Sequence, residues 1–369
     1  MNEELVPSRT YELIGHESAE KQFIDAWQLG RVPHAWLISG LEGIGKATLA
    51  YRIARFVLKV DNKEFSHHAS LFGDEKGEEV LTQLSVCKDL THCKQIEAGA
   101  HPDLRVLEPG WINPKTGRTS QKIVIDQIRK STGLTNLTTA TWRVIIIDPA
   151  DAMNINAANA LLKSLEEPPL KTLFLLVSHA PGRLLPTIRS RCRRLELQPL
   201  SVEQVKSYLS QIEMKKSSID GVARLSGGSI GKAVQLITGN GYDLYKAFYR
   251  VVSSLPKLDI QSIHDLSDLA SRKKDSGIET FPMLVNLIPD WIGSLILISA
   301  GGKSGTEVIE GENELKLRLF EGGASIDRWL DVREKTRVLL SGVERINLDR
   351  KQVLIECFSM LAAVSSVNK

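Results

Sequence analysis

The chain has 369 residues, 42% of them hydrophobic and 25% charged, with a formal net charge of +3. That composition supports a large apolar core in two or three domains without a disulfide or metal staple. It excludes a strongly basic nucleic-acid binder on charge alone. The four cysteines, Cys87, Cys93, Cys192 and Cys357, form no disulfide framework and point to a reducing, cytoplasmic setting.

The opening MNEELVPSRTYELIGHE is acidic and polar and reads as lacking a signal peptide. Residues 16–29 predict a helix with Phe23, Ala26 and Trp27 on one side. Pro33-His34 leads into a short strand, Ala35 to Ile38, which meets a loop from Gly40 to Thr48. A helix follows, with Leu49, Ile53, Phe56 and Val57 as its buried face. Strand, glycine-rich loop, lysine and helix is the P-loop order. Its glycines let backbone N–H groups approach phosphate, and the helix N-terminus adds positive potential. Gly40, Gly43, Gly45 and Lys46 are therefore candidate phosphate ligands. The position after Lys46 should carry the hydroxyl that holds Mg²⁺, and here it is Ala47. Thr48 comes one place late, rotated by about 100° on a helix. The competing reading is a glycine-rich turn without a ligand. The flanking strand and helix favour phosphate-loop ancestry, which does not guarantee retained binding.

Residues 59–100 are polar and read as an insertion. Cys87 and Cys93, with His92 and His101 nearby, raise the question of zinc. Two cysteines at this wide spacing do not make a four-ligand site, so no metal is expected. Leu104 to Leu107 predicts a strand, and Gly110 to Ser120 an exposed connector with Lys115 and Arg118 at its tip, a hairpin being one option. Ile123 to Ile125 reads as an apolar run ending at Asp126, which would cap a helix through Ile128.

The stretch from Arg143 to Leu197 organises the chain. Val144 to Ile147 is an uninterrupted β-branched run, suited to a strand buried on both faces of a parallel sheet, and it ends on Asp148. A carboxylate at such a tip lies where α/β proteins bind ligands. Asn156 is the expected cap of a helix carrying Ala158, Leu161, Leu162 and Leu165, stopped by Pro168-Pro169. Leu173 to Val177 predicts a second buried strand with Ser178 at its tip. Arg183 to Arg194 is a basic turn and helix containing Ser190-Arg191-Cys192.

Beyond Pro199 strands give way to amphipathic helices. Ser201 with Glu203-Gln204 starts one to about Gln211, Asp220 to Leu225 forms a second, and Ser229 to Ala233 begins a third. From Tyr242 onward helical spacing recurs. Phe281 to Ala300 is the most apolar stretch, but Pro282, Asn286, Pro289 and Asp290 argue against a membrane span, and a packed helix starting near Pro289 is expected.

Ala157 to Pro169, Ser190-Arg191-Cys192, His101-Pro102-Asp103 and Pro33-His34-Ala35, in this order, resemble the delta-prime family of bacterial DNA polymerase III clamp-loader subunits, which are AAA+ proteins. The resemblance runs from Leu13 to Lys351. It implies an α/β plus all-α fold in three parts: an AAA+ P-loop parallel-sheet domain over 1–198, a helical lid over 199–241 and a helical collar for oligomerisation over 242–369. It implies a stator that helps load the sliding clamp onto primed DNA, with partners among the delta and gamma/tau subunits and the clamp, and DNA contacts made mainly through the complex. It also implies that Arg191 reaches the ATP of a neighbouring subunit as a trans arginine finger.

Hydrolysis by the chain itself is not expected. An AAA+ hydrolase follows its Walker B strand with Asp-Glu, whereas Asp148 is followed by Pro149. With Ala47, both the metal-holding hydroxyl and the water-activating carboxylate are lost. Gly40, Gly43, Gly45, Lys46, Thr48, Asp148, Ser178 and Lys232 then form a vestigial or weak nucleotide site. No cofactor is required, and residual ATP or ADP binding is left open. Lys232 stands where relatives place a sensor arginine. Cys192 is read as packed, and Glu166-Glu167 as a helix-end surface feature. The alternative is an active AAA+ motor subunit of a clamp loader or a related DNA-processing machine.

Overall fold

A computed structural model describes residues 6–60, 84, 88, 90–112, 117–133, 141–211, 219–271, 280–302, 306–322, 325–346 and 348–366. Cys87 and Lys115 lie outside the described residues. The chain divides into two compact units, Met1–Leu200 and Ser201–Lys369.

In the first unit, α1 (Glu17–Gln28) precedes β1 (Ala35–Ser39), and α2 (Lys46–Val60) follows the glycine loop. Next come α3 (Thr91–Glu97), β2 (Leu104–Leu107), and an antiparallel pair, β3 (Trp111–Ile112) with β4 (Thr119–Ser120), so the connector is a hairpin. Then follow α4 (Ile125–Gly133), β5 (Arg143–Ile147), α5 (Ile155–Glu166), β6 (Thr172–Ser178), the short α6 (Pro186–Arg189) and β7 (Arg193–Glu196). Five strands form one parallel sheet in the order β2-β5-β6-β1-β7. Every residue of β1, β5 and β6 is buried, as their apolar runs require when helices cover both faces. One face packs Phe23, Trp36, Leu49, Ile53 and Phe56; the other packs Leu37, Ile145, Leu161, Phe174 and Ile188.

Several local expectations need correction. The cap of α5 is Asn154, whose Oδ1 accepts from the Ala157 amide at 2.8 Å, and Asn156 lies inside the first turn. A 3₁₀ turn at Ala150–Ala152 brings the chain into the helix two residues earlier than the pattern implied. Helix α4 already starts at Ile125, one residue before the expected cap Asp126; Ile123 bridges Met153, and the Gln127 side chain accepts from the Val124 amide as the helix begins. Asp126 is accordingly a first-turn residue, where its charge suits the helix dipole. Within the supposed insertion, α3 buries Cys93 and Ile96. Strand β7 had no sequence signature because three of its four residues are charged and exposed; only Leu195 turns inward at the sheet edge.

The second unit is all helical among its described residues. It comprises α7 (Val202–Gln211), α8 (Ile219–Leu225), α9 (Ile230–Thr238), α10 (Gly241–Ser254), α11 (Ile260–Ser271), α12 (Phe281–Ser299), α13 (Glu312–Glu321), α14 (Ile326–Ile346) and α15 (Arg350–Ser365). The expected helix start at Ser201 is a reciprocal capping box with Gln204, at 3.2 and 2.9 Å. Helix α12 starts at Phe281, eight residues before Pro289, because Pro282 sits in the first turn at no hydrogen-bond cost while Pro289 packs in the core. Among the described residues α12 is the one helix long and apolar enough to cross a membrane, yet Phe281, Leu284, Ile288, Ile292 and Leu295 are buried within the unit.

Candidate nucleotide site and arginine turn

The C-terminal tips of β1, β5 and β6 lie side by side, and the chain leaves each with a polar residue or a turn. After β1 the loop takes left-handed backbone at Gly40, Gly43 and Gly45. A Cβ on Gly40 would lie 2.6 Å from both Ile44 Cδ1 and the Leu197 carbonyl, and one on Gly45 would lie 2.8 Å from Leu13 Cδ1. The segment before α1 thus packs directly on the loop. His16, which is buried, places Nε2 2.8 Å from the Ile44 carbonyl. Burial lowers its pKa, so the ring is neutral at pH 7, and a carbonyl partner makes Nε2 the protonated nitrogen.

Lys46 opens α2 and turns back on its own loop. Its Nζ donates to the Gly40 carbonyl at 2.9 Å and to the Leu41 carbonyl at 2.5 Å. Burial brings its pKa down to about 8, against the pull of Asp148, Glu42 and Asp151. Ala47 has no hydroxyl, and Thr48 is half-buried further along the helix.

Asp148 leaves β5, and burial followed by the nearby charge of Glu108 pushes its carboxyl up to about 6. Glu108 follows β2, the strand paired with β5, and burial raises its pKa too. Sequence reasoning missed Glu108; its place one residue past a predicted strand end was the available signal. Ser178, fully buried at the tip of β6, donates to Asp151 Oδ1 at 2.7 Å. Asp151 Oδ2 accepts from the His179 and Ala180 amides at 2.6 and 3.2 Å. Asp151 therefore braces the turn after β6, and both its oxygens have protein donors.

The Ser190-Arg191-Cys192 segment is the tight turn between α6 and β7. Arg191 Nη1 donates to the Thr187 carbonyl at 3.1 Å, and Nη2 lies 2.8 Å from Glu166 Oε1 at the end of α5. Glu166 is a surface residue, but it holds a specific partner that its sequence position did not reveal. Cys192 is partly buried against the sheet's helical layer, and burial pushes its thiol up to about 12. In the helical unit, Lys232 lies in the first turn of α9, with Nζ 3.9 Å from Asp290. Among the described residues no group of three or more His, Cys, Asp or Glu side chains is placed to hold a metal ion.

A parallel sheet in this order, with a glycine loop and lysine after β1 and an acid after β5, defines a P-loop α/β domain, here followed by helices. The model of the family described as DNA polymerase III, delta subunit matches residues 15–201, and the chain belongs to that family. It is 34% identical to DNA polymerase III subunit delta' of Pseudomonas aeruginosa over 262 residues, 70% of each chain. It is 30% identical to the subunit delta' of Escherichia coli over 245 residues, 66% of each, so this match spans a little under two thirds of the relative. A solved DNA polymerase III gamma subunit-related protein from Thermotoga maritima aligns over 95% of this chain and 100% of its own, at 17% identity and a TM-score of 0.40.

Proposed function

We propose that this chain is a clamp-loader subunit that does not hydrolyse ATP and lends Arg191 to the nucleotide of a neighbouring ATPase subunit. The observation that carries the first half is Lys46: its ammonium is spent on the Gly40 and Leu41 carbonyls of its own loop. A phosphate entering the loop must displace those bonds without a Mg²⁺-holding hydroxyl at Ala47. Pro149 supplies no general base after Asp148, and Asp151, the next carboxylate, is engaged by Ser178 and two amides. ATP or ADP binding at Gly40, Gly43, Gly45 and Lys46 would be weak and without efficient Mg²⁺.

The second half rests on Arg191 at a partly exposed turn. A guanidinium has five N–H donors, matches phosphate oxygens in pairs and stabilises the charge that develops in phosphoryl transfer. In this reading the helices over 199–241 act as a lid and those over 242–369 as a collar joining delta and gamma/tau subunits. The assembly opens the sliding clamp in the cytoplasm and meets DNA mainly through the other subunits.

The test is ATP turnover with Mg²⁺, measured on the isolated chain and on a loader reconstituted with Arg191→Ala. The isolated chain should be inactive, and the variant loader should turn over about 10³-fold more slowly, the lower range for removing an arginine finger. Brisk turnover by the isolated chain, abolished by Lys46→Ala, would establish the active-motor reading instead. Unchanged turnover of the Arg191→Ala loader would end the finger assignment.

A further inference from the structure

The proposed finger is not free. Its two terminal nitrogens are held by groups of its own chain, Nη2 by the Glu166 carboxylate at 2.8 Å and Nη1 by the Thr187 carbonyl at 3.1 Å. These contacts come from the end of α5 and from α6, so the guanidinium is fixed in direction by two separate elements. The two partners differ in what they do to its charge. A carbonyl leaves a guanidinium positive. A carboxylate cancels it, and would itself be repelled by an incoming polyphosphate.

We infer that Glu166 is a resting partner for Arg191, a positioning residue that parks the finger and is exchanged for phosphate oxygens when a neighbouring nucleotide arrives. This rests on the finger reading above. Among the described residues two of the five N–H donors have partners at rest, the others being Nε–H and one N–H on each terminal nitrogen. The Thr187 bond can therefore persist while Nη2 changes partner, and the arginine engages by breaking one contact rather than swinging free. Side-chain exposures of 36% for Arg191 and 52% for Glu166 put the pair where water and salt weaken it. The parked state is therefore a shallow well, deep enough to bias the finger and shallow enough to release it.

Parking lowers the competent fraction of the finger, and apparent nucleotide affinity falls by the same fraction. Removing the carboxylate should reverse that without touching the chemical step. The experiment uses loader reconstituted with the full chain carrying Glu166→Gln, Glu166→Ala, Arg191→Ala or Arg191→Ala with Glu166→Gln, titrated with ATP at low and high salt. Either Glu166 variant should lower the half-saturating ATP concentration about two- to five-fold at low ionic strength with kcat unchanged, the range open to an exposed ion pair. The advantage should vanish at about 0.5 M salt, where the Debye length is only a few ångströms. Glu166→Gln should have no effect on top of Arg191→Ala. If Arg191→Ala slows the loader but the Glu166 variants leave half-saturation unchanged, or lower kcat at every salt concentration, the parking role is wrong while the finger stands. If Arg191→Ala changes nothing, the finger reading itself has failed and the parking role with it.

Discussion

The hydroxyl of Ser178 donates to the carboxylate of Asp151 at 2.7 Å, joining the tip of β6 to the turn that follows β5. The same carboxylate accepts two backbone amides, from His179 and Ala180. Charge-assisted bonds of this kind are stronger than neutral ones, and removing the acceptor leaves several donors unsatisfied. Asp151→Ala should destabilise the first unit by about 2–3 kcal/mol and Ser178→Ala by about 1 kcal/mol. In urea denaturation the double variant should cost less than the sum of the singles, with a coupling of at least about 0.5 kcal/mol. Strict additivity would show that the two side chains do not share a bond in solution.

Asp148 should oppose folding at neutral pH. Burial and the adjacent Glu108 charge push its carboxyl up to about 6. Between about pH 4 and 6 the unfolded chain has already lost this proton while the folded chain keeps it, so this residue's contribution to stability falls as pH rises through that window and is lowest above it. Asp148→Asn should therefore stabilise the protein at pH 7.5 by about 1–3 kcal/mol, the gain being trimmed because Lys46 loses a favourable neighbour. Near pH 4 the two proteins should be equally stable. Denaturant titrations at both pH values decide it, and a destabilised variant at pH 7.5 would contradict the burial argument.

Lys46 titrates in the opposite sense. Burial lowers its pKa to about 8, so from there to about 10.5 the folded chain has released a proton that the unfolded chain still binds. Stability from this group rises with pH across that range. The difference in unfolding free energy between wild type and Lys46→Met should move in favour of wild type by about 2 kcal/mol between pH 7.5 and 10. A constant difference would place the ammonium in water rather than against the Gly40 and Leu41 carbonyls.

What the sequence disclosed follows from how each element earns its burial. Strands β1, β5 and β6 were readable because both faces are covered and, apart from Arg143 at the start of β5, every position is apolar or small. Strand β7 was not, since an edge strand needs one inward residue, Leu195, and its other positions carry charge. The glycine loop was visible as a pattern, but the closure of Lys46 on Gly40 and Leu41 was not, because backbone carbonyls leave no trace in residue identity. Asn154 and Asn156 were equally good caps by type; the 3₁₀ turn before them decides between the two. Arg191 was prominent as a motif, while Glu166 seemed ordinary, since their approach depends on how α5 and α6 are arranged rather than on the stretch of sequence between them.

The helical unit contains a charged pair whose depth no local pattern reports. Glu312 and Lys316 have the i,i+4 spacing of a surface pair on α13, yet they are buried, with Lys316 Nζ 2.7 Å from Glu312 Oε1. Tyr245 on α10 donates to the same oxygen at 2.5 Å, and the Val308 amide donates to Oε2 at 3.1 Å. The ammonium also lies 5.5 Å from the centre of the Trp291 ring on α12. Burial pushes the Glu312 carboxyl up, but the hydrogen bonds from Lys316 and Tyr245 prevail and hold it below the usual range. A pair this deep is costly to break and cheap to replace whole. Lys316→Met should destabilise the protein by about 3–5 kcal/mol, because it strands a carboxylate among apolar helices. Adding Glu312→Gln should recover most of that loss, since the neutral amide can still accept from Tyr245. Urea unfolding of the two single variants and the double variant measures this; if the double variant were as unstable as the sum of the singles, the carboxylate and ammonium would not be partners.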